Sequence, residues 1–231
     1  MTTAAIIVAA GRGQRFQSDI PKAFVTLAGD PLLVHVARRF FASGSVEEIC
    51  VVGPSGHLDR CRSMLTDAVA GPLRVVAGGE RRQDSVRAGL YSLSEEADLV
   101  AVHDAARPLV PRDLILATIA AARAHGAAIA AVPVTDSVKE VSRDGWISAE
   151  RPRQGLWLAQ TPQCFRREIL REAYRQAEQD GVEATDDASL VLRLGTPIRI
   201  VPGDTSNLKI TYPEDLRLAE ALLALGHAGK P

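Results

Sequence analysis

The sequence has no surplus of either charge: 27 Lys and Arg face 28 Asp and Glu, for a formal net charge of −1. No global positive field therefore draws the chain to nucleic acid or to an anionic membrane, and any phosphate binding has to come from a local cluster. Cysteines are few, and Cys50, Cys61 and Cys164 nowhere form a C-x-x-C pair. That spacing argues against a disulfide framework or a structural zinc site. After "MTT" there is no basic start followed by an apolar leader, and no apolar run is long enough to span a bilayer. The expectation is a soluble cytoplasmic protein. Internal repeats, low-complexity linkers and any Ser-His-Asp or Cys-His set are also missing.

What the chain does have is alternation. Short apolar, β-branched runs recur at "AAIIVAA", "EEICVVG", "LRVVAGG", "ADLVAVHDAA" and "AAIAAVPV", separated by amphipathic segments at Leu32 to Ser43, Asp84 to Ser94 and Arg112 to His125. The pattern predicts an α/β fold, a mostly parallel sheet flanked by helices. Beyond Val134 the texture turns polar, and Asp144-Gly145 between strand-like residues predicts a β-hairpin. Val138, Val141, Trp146 and Ile147 give that hairpin something to pack, so it reads as an ordered β-arm at about 135–156 on a single domain spanning 1–231. Helical pattern resumes at Arg166 to Asp180 and Asp186 to Leu194, a strand follows at Ile198 to Val201, and "YPEDLRLAEALLAL" starts a last helix with Pro213.

The stretch "AAGRGQRFQSDIPKAF", Ala9 to Phe24, follows the first strand with Gly11, Gly13, Arg15 and Lys22. It is not a Walker loop, which needs G-x-x-x-x-G-K-[ST]. Nor is it a dinucleotide fingerprint, because Phe16 fills the third small position and no acidic residue ends the second strand. Glycines let backbone N–H groups approach phosphate oxygens, and an arginine fork with a lysine point charge can grip a triphosphate. Taken alone, the loop fits a solvated surface turn equally well.

"VAAGRGQRFQSDIPKAF" resembles the opening signature of the sugar-phosphate nucleotidyltransferases, and "GGERRQDSVRAGL", "VHDAARPLV", "LAQTPQCF" and "SNLKITYPEDL" narrow the likeness. In kind, order and spacing they are similar to the 2-C-methyl-D-erythritol 4-phosphate cytidylyltransferase family. The resemblance implies a Rossmann-like, glycosyltransferase-A-like fold. It also implies cytidylyl transfer from CTP to a polyol phosphate with Mg²⁺ or another divalent cation, held mainly by the CTP phosphates with Asp104 as a candidate ligand. Arg15 and Lys22 then stabilise charge on the triphosphate, while Arg153 and Lys209 hold the attacking phosphate. Ala9, Ala10, Gly11, Gly13, Gly79, Ser85 and Asp104 surround the nucleotide, and Arg107, Ser137, Thr161 and Thr185 contribute further substrate contacts. Relatives place the equivalent of Arg153 across a dimer interface, so a homodimer through the β-arm is expected. Glu80 stands where relatives often carry aspartate, and Ser137 where some carry threonine. His103 has no second histidine at ligand spacing, and a packed or backbone-bonded role is expected for it. Two rivals stay open: a ribitol-5-phosphate cytidylyltransferase and a non-catalytic nucleotide-binding module on the same fold.

Overall fold

The computed structural model describes residues 1–11, 16 and 20–226. Its first half contains β1 (Thr2–Val8), β2 (Thr26–Leu27), β3 (Asp30–Pro31), α1 (Leu32–Ala42), β4 (Glu48–Gly53), α2 (Leu58–Thr66), β5 (Leu73–Ala77), α3 (Arg82–Ser92) and β6 (Ala97–Asp104). Then come α4 (Arg112–His125), β7 (Ala127–Pro133), β8 (Val138–Val141), β9 (Ile147–Arg151), β10 (Trp157–Arg166), α5 (Arg167–Gln179), α6 (Asp187–Arg193), β11 (Arg199–Pro202) and α7 (Pro213–Ala224).

Seven strands make one sheet in the order β11-β7-β10-β6-β1-β4-β5. All of its neighbours pair in parallel except β10, which runs antiparallel to both β6 and β7. The mostly parallel α/β sheet is thus the architecture that the alternating apolar runs predicted. Side chains of β1 divide by their period of two. Ala5 and Ile7 join a core with Val36, Phe40 and Ile115 from α1 and α4. Ala4 and Ile6 face the opposite layer, with Val86, Leu90, Leu170 and Tyr174 from α3 and α5. A third cluster, including Leu27, Leu32, Leu109, Ile210 and Ala219, packs α7 beside the end of β6. It fixes the segment that carries Lys209, because the Ile210 N–H also donates to the Ala106 carbonyl at 2.8 Å.

β10 is the element that the sequence pattern did not mark as a strand. Its centre reads Gln160-Thr161-Pro162-Gln163, polar and proline-containing, yet the strand is central in the sheet: Trp157 to Ala159 pair with β7, and Gln163 to Phe165 pair with both β7 and β6. The ladder to β7 is interrupted between Ala159 and Gln163, so Pro162 has no place in it to fill. The glutamines are satisfied from outside the sheet: Gln160 Nε2 donates to the Asp204 carbonyl at 2.8 Å, and Gln163 Nε2 donates to Asp186 Oδ2 at 2.8 Å. Polar side chains tolerate burial when such partners exist.

β8 and β9 form a separate two-stranded antiparallel ladder in the region expected to be a hairpin. At its tip Gly145 has φ +85, a conformation that favours glycine, and the Ser142 N–H donates to the Trp146 carbonyl at 2.8 Å. Trp146 and Ile147 are 77% and 68% exposed and Val141 is exposed too, so these side chains do not pack within their own chain as the sequence reading expected.

Candidate active site

The carboxyl ends of β1, β4, β5 and β6 converge where the chain, having added β4 and β5 on one side of β1, returns to add β6 on the other. Open α/β sheets gather ligands at such a crossover point. Here a cavity of about 800 Å³ is lined by Val8 to Gly11, Lys22 and Ala23, Gly78 to Arg82, Ser85, Asp104 to Ala106, Lys209 and Thr211, with Pro54 and Ser55 at one side.

Backbone approach shapes its floor. A Cβ on Gly78 would stand 2.2 Å from the Cβ of Ala10 and 2.8 Å from Ser85 Oγ, so only glycine lets the β5–α3 turn close against the end of β1. Ser85 is buried and braces the turn: its hydroxyl accepts the Gly79 N–H at 3.2 Å and donates to the Arg81 carbonyl at 3.1 Å. The first turn of α3 opens beside the cavity, where the positive end of the helix dipole favours an anion.

Charge converges on Asp104. Its Oδ1 accepts from Arg82 Nε at 3.1 Å, and its Oδ2 from Lys209 Nζ at 2.6 Å. Burial by itself would raise this carboxyl, but Arg82 and Lys209 outweigh it and hold Asp104 well below the usual carboxylate range. Lys22 reaches the same neighbourhood from the other side, its Nζ donating to the Ile210 carbonyl at 2.8 Å. Ala9, Ala10, Gly11, Gly79, Ser85, Asp104, Lys22 and Lys209 are therefore brought together around one cavity, as the sequence reading requires.

The remaining expected residues lie elsewhere. Thr161 is buried, its Oγ1 accepting the Asp104 N–H at 3.2 Å and lying 3.0 Å from His103 Nδ1. Arg107 sends Nη1 to the Asn207 carbonyl at 2.7 Å, supporting the segment before Lys209, and does not line the cavity. Thr185 is exposed, just ahead of α6, and Ser137 is exposed at the foot of the hairpin. Arg153 is exposed beyond β9, its Nη1 bonded to the Thr135 carbonyl, and it does not line the cavity of its own chain. Arg15 and Gly13 lie outside the described residues.

Two residues not anticipated from the sequence complete the charge network. Arg82 Nη2 sits 2.8 Å from Oδ2 of Asp187, a fully buried acid whose other oxygen accepts the Tyr174 hydroxyl at 2.5 Å. A positional signal was available. Arg82, Ser85, Val86, Gly89 and Leu90 follow the i, i+3, i+4, i+7, i+8 stripe of α3, and Asp187, Leu190 and Val191 follow the stripe of α6. A charge on an apolar stripe points to a buried partner.

His103 behaves as expected. It is buried, and Nε2 lies 3.1 Å from the Arg107 carbonyl, which can only accept, so Nε2 carries the proton and Nδ1 takes the Thr161 hydroxyl. Burial lowers its pKa from 6.5 to about 4. A histidine with a depressed folded-state pKa contributes stability that is full above its unfolded value and is lost as pH falls toward the folded one. Denaturant unfolding should thus show stability falling from pH 6.5 to about pH 4, with the fall reduced in His103→Gln. Equal slopes in the two proteins would remove His103 as the cause.

The donors fit a divalent cation that arrives with its own phosphate ligands. Among the described residues no group of three or more His, Cys, Asp or Glu side chains could hold a metal. Asp104 is the buried carboxylate on the cavity wall, and both its oxygens already face cations.

Residues 3–225 match the family model described as IspD, 2-C-methyl-D-erythritol 4-phosphate cytidylyltransferase. The chain is 47% identical over 225 residues to the 2-C-methyl-D-erythritol 4-phosphate cytidylyltransferase of Syntrophus aciditrophicus (strain SB), covering 95% of this chain and 94% of that protein. The crystal structure of the enzyme of the same description from Thermus thermophilus superposes with a TM-score of 0.80 at 36% identity, covering 97% of this chain and 100% of that one. The 4-diphosphocytidyl-2C-methyl-D-erythritol synthase structure from Anaerococcus prevotii DSM 20548 gives a TM-score of 0.86 at 29% identity, covering 96% of each chain.

Proposed function

The chain belongs to the 2-C-methyl-D-erythritol 4-phosphate cytidylyltransferase family, and from that premise we propose how its residues perform the reaction. The enzyme transfers the cytidylyl group of CTP to 2-C-methyl-D-erythritol 4-phosphate, giving 4-diphosphocytidyl-2-C-methyl-D-erythritol and pyrophosphate in non-mevalonate isoprenoid precursor biosynthesis. The observation that carries our assignment of roles is the cavity in which Lys22, Arg82 and Lys209 surround Asp104 beside the opening turn of α3.

An oxygen of the acceptor phosphate attacks the α-phosphorus, a P–O bond forms, and the bond to the β-phosphate oxygen breaks, its electron pair leaving with pyrophosphate. The nucleophile is an anion at neutral pH, so the chain need supply no general base. Its task is to align two anions and offset the charge that gathers as they meet. Lys22 and Arg15 hold the triphosphate, Gly79 and Ser85 shape the cytosine end, and the backbone of Ala9 to Gly11 faces the phosphates. Lys209 meets the acceptor phosphate from the Asp104 side of the cavity. Asp104 would be the buried carboxylate on the cavity wall to hold a divalent cation arriving with the nucleotide, and such a cation would offset charge on the phosphate oxygens.

Arg153 completes the acceptor site from a second copy of the chain. This is supported by its absence from the lining of its own cavity and by the exposed apolar hairpin residues Trp146 and Ile147, which a partner would cover. The single domain with its β-arm is the unit that dimerises. Its compartment is the cytoplasm, which accords with three buried, unpaired thiols.

Pyrophosphate release, measured with CTP, Mg²⁺ and either 2-C-methyl-D-erythritol 4-phosphate or ribitol 5-phosphate, tests the reading. Release with the methylerythritol phosphate is expected. Release with ribitol phosphate alone would keep the chemistry and change the acceptor, and CTP binding without release from either would make the chain a binding module.

A further inference from the structure

Asp104 has one oxygen toward Arg82 and the other toward Lys209, and what fixes that division lies behind it. The Arg82 guanidinium is mostly buried, its side chain 26% exposed, and it is held from the core side by Asp187, which has no exposed surface. Tyr174, itself buried, donates its hydroxyl to Asp187 at 2.5 Å. A line of contacts therefore runs from α5 through α6 and α3 to the end of β6 and out to Lys209. A buried ion pair is a poor device for stability alone, since an apolar pair of similar volume often serves as well. It is a good device for orientation: charge attraction to Asp187 holds the planar guanidinium inward, and its Nε donor is then fixed toward Asp104, so the arginine dictates how that carboxylate turns.

We propose that Arg82, anchored by the Asp187–Tyr174 pair, is a positioning residue for cytidylyl transfer: it orients Asp104 so that one carboxylate oxygen remains directed at Lys209, and so sets where Lys209 meets the acceptor phosphate. The proposal rests on the roles assigned above to Asp104 and Lys209. Lysine at position 82 keeps the charge but ends in a compact ammonium on a flexible stem, without the rigid fork that fixes the angle between the two carboxylates. Asp104 is then free to turn both oxygens toward Lys209, which holds that lysine back from its substrate.

The test is a double-mutant cycle on Arg82→Lys and Asp104→Asn, read as kcat/KM for 2-C-methyl-D-erythritol 4-phosphate at saturating CTP. Residues acting through one another give non-additive losses. Arg82→Lys should lower this value by about 10-fold when residue 104 is Asp and by less than about 2-fold when it is Asn. Its effect should fall mainly on the acceptor KM, with the KM for CTP moving less. Equal losses in both backgrounds, or a loss carried by the CTP KM, would overturn the proposal and make Arg82 a direct nucleotide contact. If Arg82→Lys folds poorly, Asp187→Asn takes its place in the cycle, since the amide retains an oxygen for the Tyr174 hydroxyl, and the same outcomes apply. The wild-type corner is the assay of the underlying reading: no turnover there overturns both, whereas turnover without coupling overturns this proposal alone.

Discussion

Replacing Lys22 by alanine is expected to lower kcat by about 10²- to 10³-fold, equivalent to about 3–4 kcal/mol of barrier, while the melting temperature stays near that of the parent. Position and anchoring are separable here. Lys22 opens a short 3₁₀ turn whose other residues, Ala23 and Phe24, are buried. Phe24 holds the turn from below, edge-on to His57 at 5.7 Å and capped by the Arg60 guanidinium 4.6 Å from its ring centre. Truncating Lys22 leaves those contacts intact and removes the Nζ bond to the Ile210 carbonyl, whose loss costs about 1 kcal/mol.

The kinetic pattern matters as much as the size of the loss. A lysine that only captured CTP would, when removed, raise KM and leave kcat in place. One that offsets charge as the α-phosphorus becomes five-coordinate lowers kcat at saturating CTP as well. Steady-state kinetics with the thermal melt of the same preparation decide between them. Full kcat with raised KM would reassign Lys22 to binding, and wild-type values for both constants would remove it from the site.

The fold was legible wherever one physical rule governed a segment. α4 occupies the predicted Arg112 to His125, and α1 ends one residue short of the predicted Ser43, because apolar period and helix length agree there. The start of α3 at Arg82, before the expected Asp84, follows from its local chemistry: the Asp84 carboxylate accepts the Arg81 N–H at 3.3 Å and pairs with the Arg81 guanidinium at 2.9 Å. β10 was not legible, because its polar centre is stabilised by Asp186 and the Asp204 carbonyl, partners distant in sequence. The same holds for the site. Lys22, Lys209 and Asp104 could be named from motifs, but that the two cations approach one cavity depends on Ile210 packing against Leu109 and α7, a contact that local sequence does not announce. Arg81 and Arg82 are adjacent, but only the second falls on the buried stripe of α3. That stripe sends Arg82 inward while Arg81 pairs with Asp84 at the surface, and what local sequence could not name is the distant acid, Asp187, that Arg82 meets there.

That inward turn leads to the second large effect. Arg82→Met should destabilise the protein by about 3–5 kcal/mol, read by denaturant unfolding at pH 7. Methionine fills much of the stem's volume, so the loss is chiefly electrostatic. Among the described residues, it leaves Asp187 fully buried with the Tyr174 hydroxyl as its hydrogen-bond partner, and leaves Asp104 with Lys209 as its ion-pair partner. An uncompensated carboxylate in a low-dielectric interior is far costlier than the pair it came from was beneficial. Adding Asp187→Asn to Arg82→Met removes that charge and keeps an acceptor for Tyr174, so the double variant should recover a large part of the loss although it carries one more substitution. If the second change adds to the damage, the cost in Arg82→Met lies in packing, and Arg82 serves the fold through its stem. Recovery would instead locate the cost in the stranded acid. Stability and positioning would then be two results of one arrangement, because the acid that needs Arg82 for charge balance is also what holds Arg82 still enough to aim Asp104.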